Sequence, residues 1–293
     1  MAEIAGIHKQ QMKRKRSNEV VKEKWAKHYS SNHQILLVGE GDFSFSVSLA
    51  MAFGSASNIV ASSIDTYDYL IKNYKNAKAN LDILRKFGAQ LLHVVNAVKM
   101  KNHTDLRKQK SDRIVYNFPH SGDRGKESDE DIIVNHQNLV QSFLWNARAL
   151  LRPKGEIHVT HKTTHPYSCW NIEEVASECG LTLVECVKFK IEDYPGYNNK
   201  RGDRRNPDLS FPLGKCSTFK FMVSSNAKKS PPEFPYQKRL KKTLAEMNPI
   251  AEYLIDAGGL TYLTECLIPD LSDLQDDSET SSSDVGTSQP PHI

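Results

Sequence analysis

The order of apolar and polar residues predicts alternating strands and helices through most of the chain. Short apolar runs bounded by turn residues predict buried strands. These runs span residues 35–38, 59–64, 91–95, 112–116, 156–160, 183–189 and 217–223. Apolar residues at helical spacing predict helices over residues 44–53, 67–87, 131–151 and 171–179.

The last two predicted strands follow each other without a helix between them. Strand–helix alternation indicates a parallel sheet, and a strand pair joined by a loop indicates one antiparallel strand. We therefore expect an α/β fold with a Rossmann-like sheet of the class I methyltransferase type. That sheet is mostly parallel, has one antiparallel strand and carries helices on both faces. A nicotinamide dehydrogenase usually continues with helical crossovers and a second domain, for which this chain has little room.

Composition changes along the chain and predicts four regions. Residues 1–31 form a basic flexible arm, and residues 32–225 form the sheet domain. Residues 226–271 combine a linker with a helical extension, in which residues 236–247 and 250–257 have helical character. Residues 272–293 are acidic and rich in Ser and Pro, so we expect this tail to be disordered.

Overall composition is that of a soluble globular protein, with 25% charged and 39% hydrophobic residues. No apolar run is long enough to span a membrane. The five cysteines are odd in number and form no CxxC pair. They indicate a reducing compartment and disfavour a disulfide framework or a structural zinc site.

Basic residues are concentrated in two places, although the net charge is only +4. Residues 13–16 are Lys-Arg-Lys-Arg, and a basic loop spans residues 200–205. Both suit a polyanionic partner. The first cluster is either a nuclear address or an RNA contact, and the two functions are compatible.

A glycine-containing turn follows the first predicted strand. Gly39 and Gly41 lie between an apolar run and a helix, which is the geometry in which a backbone approaches a nucleotide-like ligand. Asp65 ends the next apolar run, where its carboxylate can accept hydrogen bonds from both ribose hydroxyls. The alternative is that Asp65 only caps the helix that follows it.

Ligands of such sheets bind at the carboxyl ends of the strands. The turn Asn96-Ala97 lies at the end of the third predicted strand, and residues 117–120 lie at the end of the fourth. The second segment, Asn-Phe-Pro-His, resembles the Asn/Asp-Pro-Pro-Tyr/Phe site of methyltransferases that act on base nitrogens. Its aromatic ring can stack on a flipped base and its amide can bind the Watson–Crick edge. The alternative is an ordinary turn with a surface histidine.

Three histidines at 158, 161 and 165 suggest a metal site only at first sight. His158 and His161 point to opposite faces of a strand, so a shared metal is not expected. His161 is near the carboxyl end of that strand, where it can line the substrate cleft.

The loop at residues 194–205 interleaves aromatic and basic side chains. Such a loop suits stacking on exposed bases combined with phosphate contacts, and the alternative is a solvated hairpin loop. The candidate RNA-binding residues are Tyr197, Lys200, Arg201, Arg204 and Arg205.

Three segments, residues 38–46, 117–120 and 194–202, together resemble the 25S rRNA (uridine-N(3)) methyltransferase family. The resemblance covers about residues 32–224. It implies a Rossmann-like fold, S-adenosyl-L-methionine as methyl donor and N(3) of a uridine in large-subunit rRNA as acceptor. It also implies a nucleolar or nuclear location, with the cytoplasm as the alternative.

The resemblance also implies roles for individual residues. The candidate cofactor-binding residues are Gly39, Glu40, Gly41, Asp42, Phe43, Ser44, Asp65, Asn96 and Ala97. The candidate catalytic residues are Asn117, Phe118, Pro119 and His120, with His120 as the base that removes the N(3) proton and Asp42 behind it. One departure is that Asn96-Ala97 stands where many methyltransferases have an Asp near the adenine.

The expected partner is rRNA or a pre-ribosomal particle, and we expect a monomer with neither a membrane contact nor a structural metal. Two alternatives stay open at this point. One is a base methyltransferase with another target, and the other is a non-catalytic RNA-binding ribosome-assembly factor that retains the fold.

Overall fold

The computed structural model describes residues 22–123, 125–203, 205–227 and 230–247. Its strands are β1 Trp25–Ala26, β2 Tyr29–Ser30, β3 Ile35–Val38, β4 Ile59–Ser62, β5 Gln90–Leu92, β6 Ser111–Asn117, β7 Leu151–Lys162, β8 Leu181–Lys188 and β9 Cys216–Val223. Its α-helices are α1 Ser44–Phe53, α2 Tyr67–Asn73, α3 Ala77–Phe87, α4 Glu130–Leu150, α5 Ile172–Glu178 and α6 Pro235–Met247. Short 3-10 turns span Met100–Asn102, Leu106–Lys108, Tyr167–Trp170 and Ile191–Asp193.

Seven strands form one sheet in the order β5-β4-β3-β6-β7-β9-β8. All neighbours are parallel except β9, which runs antiparallel to both β7 and β8. This is the sheet of class I methyltransferases, so the predicted fold class is confirmed. The strand order reverses between β3 and β6, and ligands of open α/β sheets bind at the carboxyl ends of the strands beside such a switch point.

Helices cover both faces of the sheet. On one face, the core includes Leu49 of α1, Leu70 of α2 and Leu81 of α3. On the other face, it includes Phe143 of α4 and Val175 of α5. The central strand β3 is buried along its whole length, which explains its uninterrupted apolar sequence.

The single helix predicted for residues 67–87 is wrong, because the structure has two helices there. α2 ends at Asn73, whose side-chain amide donates to the Tyr69 carbonyl at 2.9 Å. Tyr74 then adopts an extended backbone, and its side chain is buried in the core. Apolar spacing alone did not reveal the break, because the segment contains neither Gly nor Pro.

Part of the expected flexible arm is folded. β1 and β2 form a two-residue-per-strand antiparallel hairpin, and Tyr29 in β2 is only 1% exposed. The Tyr29 ring lies beside that of Phe45 in α1, with centroids 6.0 Å apart. The prediction of a flexible arm is therefore wrong for residues 25–30, which are folded. Residues 1–21, including the basic cluster, lie outside the described residues.

β7 is longer than predicted and begins directly after α4. Leu151 pairs with Ser111, and the register shifts before Arg113 pairs with Glu156. Lys154 has a positive φ of 64°, which accommodates the irregular stretch between the two pairings. Residues 152–155, which lie between the predicted helix and the predicted strand, are therefore part of an irregular strand.

The chain divides into two units, Met1–Pro235 and Tyr236–Ile293. Within the second unit, the structure describes only the helical residues up to Met247, where a helix was expected. The helix expected at residues 250–257 and the acidic tail lie outside the described residues. None of the described helices combines the length and the apolar character that crossing a membrane requires.

His158 and His161 point to opposite faces of β7, as predicted. His158 is fully buried, with Nε2 at 2.8 Å from Glu156 Oε2 and Nδ1 at 3.2 Å from the Tyr29 hydroxyl. His161 packs on the other face against Trp170, with ring centroids 4.2 Å apart. Burial lowers the pKa of each of these two histidines to about 4, so both are neutral in the folded protein near neutral pH.

Acidification is expected to destabilise the fold through His158. The unfolded chain binds a proton near its ordinary pKa of 6.5, whereas folded His158 does not until about pH 4. Stability contributed by the neutral ring is therefore lost as the pH falls from about 6.5 towards 4, at up to about 1.4 kcal/mol per pH unit. Chemical unfolding at several pH values should show a shallower pH dependence for His158→Gln than for the unchanged protein. Equal slopes would contradict this assignment.

Candidate active site at the carboxyl edge of the sheet

The turn after β3 requires glycine at its first position. Gly39 has a φ of +69°, and a Cβ atom there would lie 2.3 Å from Cε2 of Tyr116 in β6. Gly41 allows a second close approach, because its Cβ would lie 3.3 Å from Cβ of Lys200. The turn thus packs between β6 on one side and the segment that contains Lys200 on the other.

Two buried carboxylates occupy the N-terminus of α1. Asp42 Oδ1 accepts the Ser44 backbone N–H at 3.0 Å. Glu40 Oε2 accepts the Ser46 backbone N–H at 3.2 Å and the Ser46 hydroxyl at 2.8 Å. Burial raises the pKa of Glu40 to about 7 and raises that of Asp42. Two backbone donors at the start of α1 are therefore satisfied by acids, and this turn is negatively charged when the acids are ionised.

One oxygen of Asp42 is left open. Oδ2 is buried and has no hydrogen-bond partner among the described residues. The nearest cation is Lys200, whose Nζ lies 3.6 Å away, beyond hydrogen-bond distance. Lys200 instead lies 2.6 Å from Asp208 Oδ1 and donates to the Asp208 carbonyl at 3.0 Å. A buried carboxylate oxygen without a partner is costly and indicates a ligand-binding position.

The segment between β8 and β9 covers the turn, and we call residues 197–211 the cover. The Asn198 backbone N–H donates to Ser44 Oγ at 3.0 Å, and the Tyr197 ring lies 5.2 Å from that of Phe45. The remaining cavity has a volume of about 40 Å³. Pockets for drug-sized ligands have volumes of roughly 300–1,000 Å³, so this cavity is too small to enclose such a ligand.

Asn117 and Phe118 line the same cavity from the end of β6. Phe118 has a left-handed φ of 51°, and its backbone N–H donates to the Thr160 carbonyl at 2.8 Å. Its ring packs edge-on against Phe189 and Phe211, at centroid distances of 5.5 and 5.3 Å. Asn117 Oδ1 is buried and has no hydrogen-bond partner among the described residues.

Pro119 is buried beside them, but His120 does not line this cavity. His120 Nε2 lies 3.0 Å from Glu127 Oε1, and Nδ1 accepts the Gly122 backbone N–H at 3.0 Å. Because Nδ1 is an acceptor, Nε2 carries the proton and donates to the carboxylate. His120 therefore lacks the free nitrogen that the expected role as a base requires, and Asp42 is bound to Ser44 rather than placed behind it.

Glu127 is held between two histidines. Its second oxygen lies 3.2 Å from Nε2 of His136 in α4, and His136 Nδ1 accepts the Ser121 backbone N–H at 3.2 Å. These hydrogen bonds from His120 and His136 hold the pKa of Glu127 well below its usual range. The cluster therefore ties the loop after Phe118 to α4.

The ligand-type atoms of His120, Glu127 and His136 all lie within 4.8 Å of one another. A metal-bound histidine normally donates its other ring N–H to an acceptor. Here both Nδ1 atoms face backbone N–H donors. The arrangement therefore fits hydrogen bonding to Glu127 better than metal ligation, and the expected lack of a structural metal stays a prediction.

Asp65 does not cap α2. Thr66 occupies the cap position, and its side chain accepts the Tyr69 N–H at 3.2 Å. The Asp65 carboxylate is partly buried, which raises its pKa, and it has no hydrogen-bond partner among the described residues. It lies outside the small cavity but follows β4, the neighbour of β3.

The turn Asn96-Ala97 follows β5 on the same side. Asn96 Oδ1 accepts the Val98 N–H at 3.0 Å, so this oxygen stabilises its own turn. Ala97 is buried in the core. The structure thus leaves the amide group of Asn96, rather than its carbonyl oxygen, for any contact with a ligand.

The loop predicted to stack on RNA divides into an inner and an outer part. Tyr194 and Tyr197 pack against Phe45 and Phe189, and Lys200 has only 8% of its side chain exposed. The expectation that these aromatic rings form an open stacking surface is wrong. Of the basic candidates in the loop, Arg201 and Arg205 are exposed, while Arg204 lies outside the described residues.

Sequence reasoning also missed contributors to the site. Phe211 lines the cavity, and Ser44 and Asn198 join the turn to the cover. The available signal for Phe211 was that it is an isolated aromatic residue directly after the mostly polar stretch 198–210. The contact of Ser44 with Asn198 spans 154 residues and leaves no local pattern.

Comparison with known proteins identifies the family. Residues 36–201 match the family described as rRNA (uridine-N3-)-methyltransferase BTM5-like, which is more than half of the chain. The chain belongs to the BMT5-like family. The match contains the glycine turn, Asn117 to His120 and Lys200 of the cover.

Three relatives show how similar this chain is to known proteins. The chain is 55% identical over 213 residues to Heavy metal-associated isoprenylated plant protein 41 of Arabidopsis thaliana, covering 73% of this chain and 41% of that protein. It is 49% identical over 208 residues to an uncharacterized Arabidopsis thaliana protein, covering 70% of this chain and 99% of that protein. It is 27% identical over 227 residues to the 25S rRNA (uridine(2634)-N(3))-methyltransferase of Saccharomyces cerevisiae, covering 59% of this chain and 67% of that protein.

Proposed function

We propose that this protein transfers a methyl group from S-adenosyl-L-methionine to N(3) of a uridine in large-subunit rRNA. The observation that carries the proposal is the pair of buried acids, Glu40 and Asp42, at the N-terminus of α1. A dinucleotide would place its pyrophosphate against these acids and be repelled. The sulfonium and ammonium groups of S-adenosyl-L-methionine are cations, and a negative turn attracts them.

The proposed cofactor roles rest on carboxylate oxygens that have no hydrogen-bond partner among the described residues. Asp42 Oδ2 would accept a hydrogen bond from the amino group, and the Asp65 carboxylate would accept those of the ribose hydroxyls. Asn96 and Ala97 would border the adenine. When bound, the cofactor supplies a methyl group activated by the sulfonium for in-line displacement. The remaining task of the protein is to hold the acceptor base in line with it.

The acceptor would bind beside Asn117 and Phe118. Uridine presents one donor, N(3)–H, between two carbonyl oxygens, and Asn117 offers an acceptor and a donor side by side. Phe118, backed by Phe189 and Phe211, would provide the apolar surface for the base. Membership of the BMT5-like family and the yeast relative support uridine in large-subunit rRNA as the substrate.

RNA would contact the outer part of the cover. Arg201 and Arg205 are exposed and can bind phosphates, whereas Lys200 faces inward. The partner would be rRNA or a pre-ribosomal particle, and the corresponding location is the nucleolus. Arg204 and the basic cluster at residues 13–16 are further candidates on sequence grounds.

Nucleoside mass spectrometry of large-subunit rRNA tests this proposal. Cells without the protein should lack 3-methyluridine at one position, and the unchanged gene should restore it. The Asp42→Asn variant should not restore it, although its protein accumulates to the same level. If 3-methyluridine persists without the protein while ribosome assembly fails, the protein acts as a non-catalytic assembly factor.

A further inference from the structure

Lys162 lies at the same edge of the sheet as the proposed site. It is the last residue of β7, and β7 lies beside β6 with Asn117 paired to Thr160. The Thr160 carbonyl accepts the Phe118 N–H. Lys162 therefore lies two residues after Thr160, the β7 residue that is hydrogen-bonded to the proposed base-binding turn.

Aromatic rings surround the ammonium group. Its Nζ lies 4.5 Å from the centroid of the Tyr167 ring and 5.1 Å from that of Phe211, and it donates to the Tyr167 hydroxyl at 3.5 Å. Phe211 in turn lines the cavity and contacts Phe118. Lys162 does not line this cavity itself, but it contacts Phe211, which does; Lys162 lines a second cavity together with Tyr167 and Phe219.

This cation has no carboxylate partner within 4.0 Å among the described residues, unlike Lys200, whose ammonium lies 2.6 Å from Asp208. Partial burial lowers the pKa of Lys162. The more distant Cys216 of β9 and Glu127 of the β6–α4 loop raise it, and Arg201 of the cover lowers it. A half-buried ammonium that contacts two rings and one hydroxyl, without a carboxylate, has unused capacity to bind an anion.

The proposed reaction creates an anion at this edge. N(3) of uridine carries a proton that must leave before its electron pair can attack, and the negative charge then spreads to the two ring carbonyl oxygens. His120 is committed to Glu127 and does not supply a balancing charge. A positioned donor in a partly dry site stabilises such developing charge strongly.

Building on the proposed function, we propose that Lys162 is a catalytic residue whose ammonium binds a uracil carbonyl oxygen and stabilises the N(3)-deprotonated base. In the full step, the N(3)–H bond breaks and its proton passes to water. The N(3) electron pair then forms the new N–CH₃ bond as the S–CH₃ bond breaks. S-adenosylhomocysteine leaves with the sulfur electron pair, and Lys162 stays protonated throughout.

Two RNA substrates test this assignment. One is unmodified large-subunit rRNA transcribed with uridine, and the other is the same RNA transcribed with 5-fluorouridine. Fluorine makes N(3)–H more acidic, so the second RNA needs less stabilisation of its anion. Lys162→Met should lower kcat on the uridine RNA by about a hundredfold, and the loss should shrink to less than tenfold on the fluorinated RNA. Cofactor affinity should not change.

The matched control is Lys86→Met, which removes an exposed lysine from the last turn of α3 and should leave both rates unchanged. An equal loss of kcat on both RNAs in Lys162→Met would overturn the inference, because a merely structural lysine does not distinguish the acidity of N(3). Unchanged protein that binds cofactor but methylates neither RNA would contradict the proposed function, and the inference with it.

Discussion

Asp42→Asn should weaken binding of S-adenosyl-L-methionine by about a hundredfold. A hydrogen bond to a charged group contributes roughly 1.5–3 kcal/mol, and a factor of ten in affinity corresponds to about 1.4 kcal/mol. Asn can still accept the Ser44 N–H through its remaining oxygen, so the turn before α1 and the fold should survive. Calorimetric titration of the folded variant with the cofactor measures the effect.

Two further variants make this result specific. Asp82→Asn changes an exposed acid of α3 that pairs with Lys78 and Arg85, and it should bind the cofactor normally. Lys200→Met should bind the cofactor more tightly, because it removes the cation that lies 3.6 Å from Asp42. Undiminished affinity in Asp42→Asn, or weaker binding in Lys200→Met, would contradict the assignment of this turn as a cation site.

Asn117→Ala should separate catalysis from stability. Its Oδ1 is buried without a partner, so the folded protein already carries the desolvation cost of that atom, about 1–3 kcal/mol. Removing the side chain should leave the free energy of unfolding unchanged or raise it. The value of kcat/KM for RNA methylation should nevertheless fall about ten- to a hundredfold, because the base loses the group that orients its Watson–Crick edge.

Chemical unfolding of the variant tests the expected stability, and methylation kinetics on the same preparation test the expected loss of kcat/KM. Asn226→Ala is the matched control, since Asn226 is exposed and follows β9 at the opposite edge of the sheet. It should change neither quantity by much. A large loss of stability in Asn117→Ala with normal kcat/KM in the surviving folded protein would make Asn117 a structural residue.

The architecture could be predicted because its signals are local. β3 is a continuous apolar run and β4 is mostly apolar, Gly39 and Gly88 end their elements with positive φ, and the long β8–β9 connection lacks helical spacing. Each of these patterns follows from burial or backbone sterics within a few residues. The same patterns placed Asp42 and Asn117 at the ends of adjacent strands, where the structure brings both to one cavity.

The direction in which side chains point could not be predicted, because it depends on contacts between distant segments. Lys200 has the sequence context of an exposed basic loop, yet Asp208 and Asp42 hold it inside. His120 follows a plausible base-binding motif, yet Glu127 and the Gly122 N–H engage both ring nitrogens. In each case an ion pair or a hydrogen bond decides the role of the residue, and neither leaves a periodic signal.

Lys200 and Arg201 are consecutive residues of the cover with opposite orientations. Lys200 faces Asp42 inside the site, while Arg201 is exposed and its backbone N–H is fixed to the Leu209 carbonyl at 2.8 Å. A phosphate that binds Arg201 therefore contacts the same segment that covers the proposed cofactor position. We therefore expect RNA and cofactor to be thermodynamically coupled, each raising the affinity of the other by the same factor. Such reciprocity would keep the affinity for the cofactor low until RNA is bound.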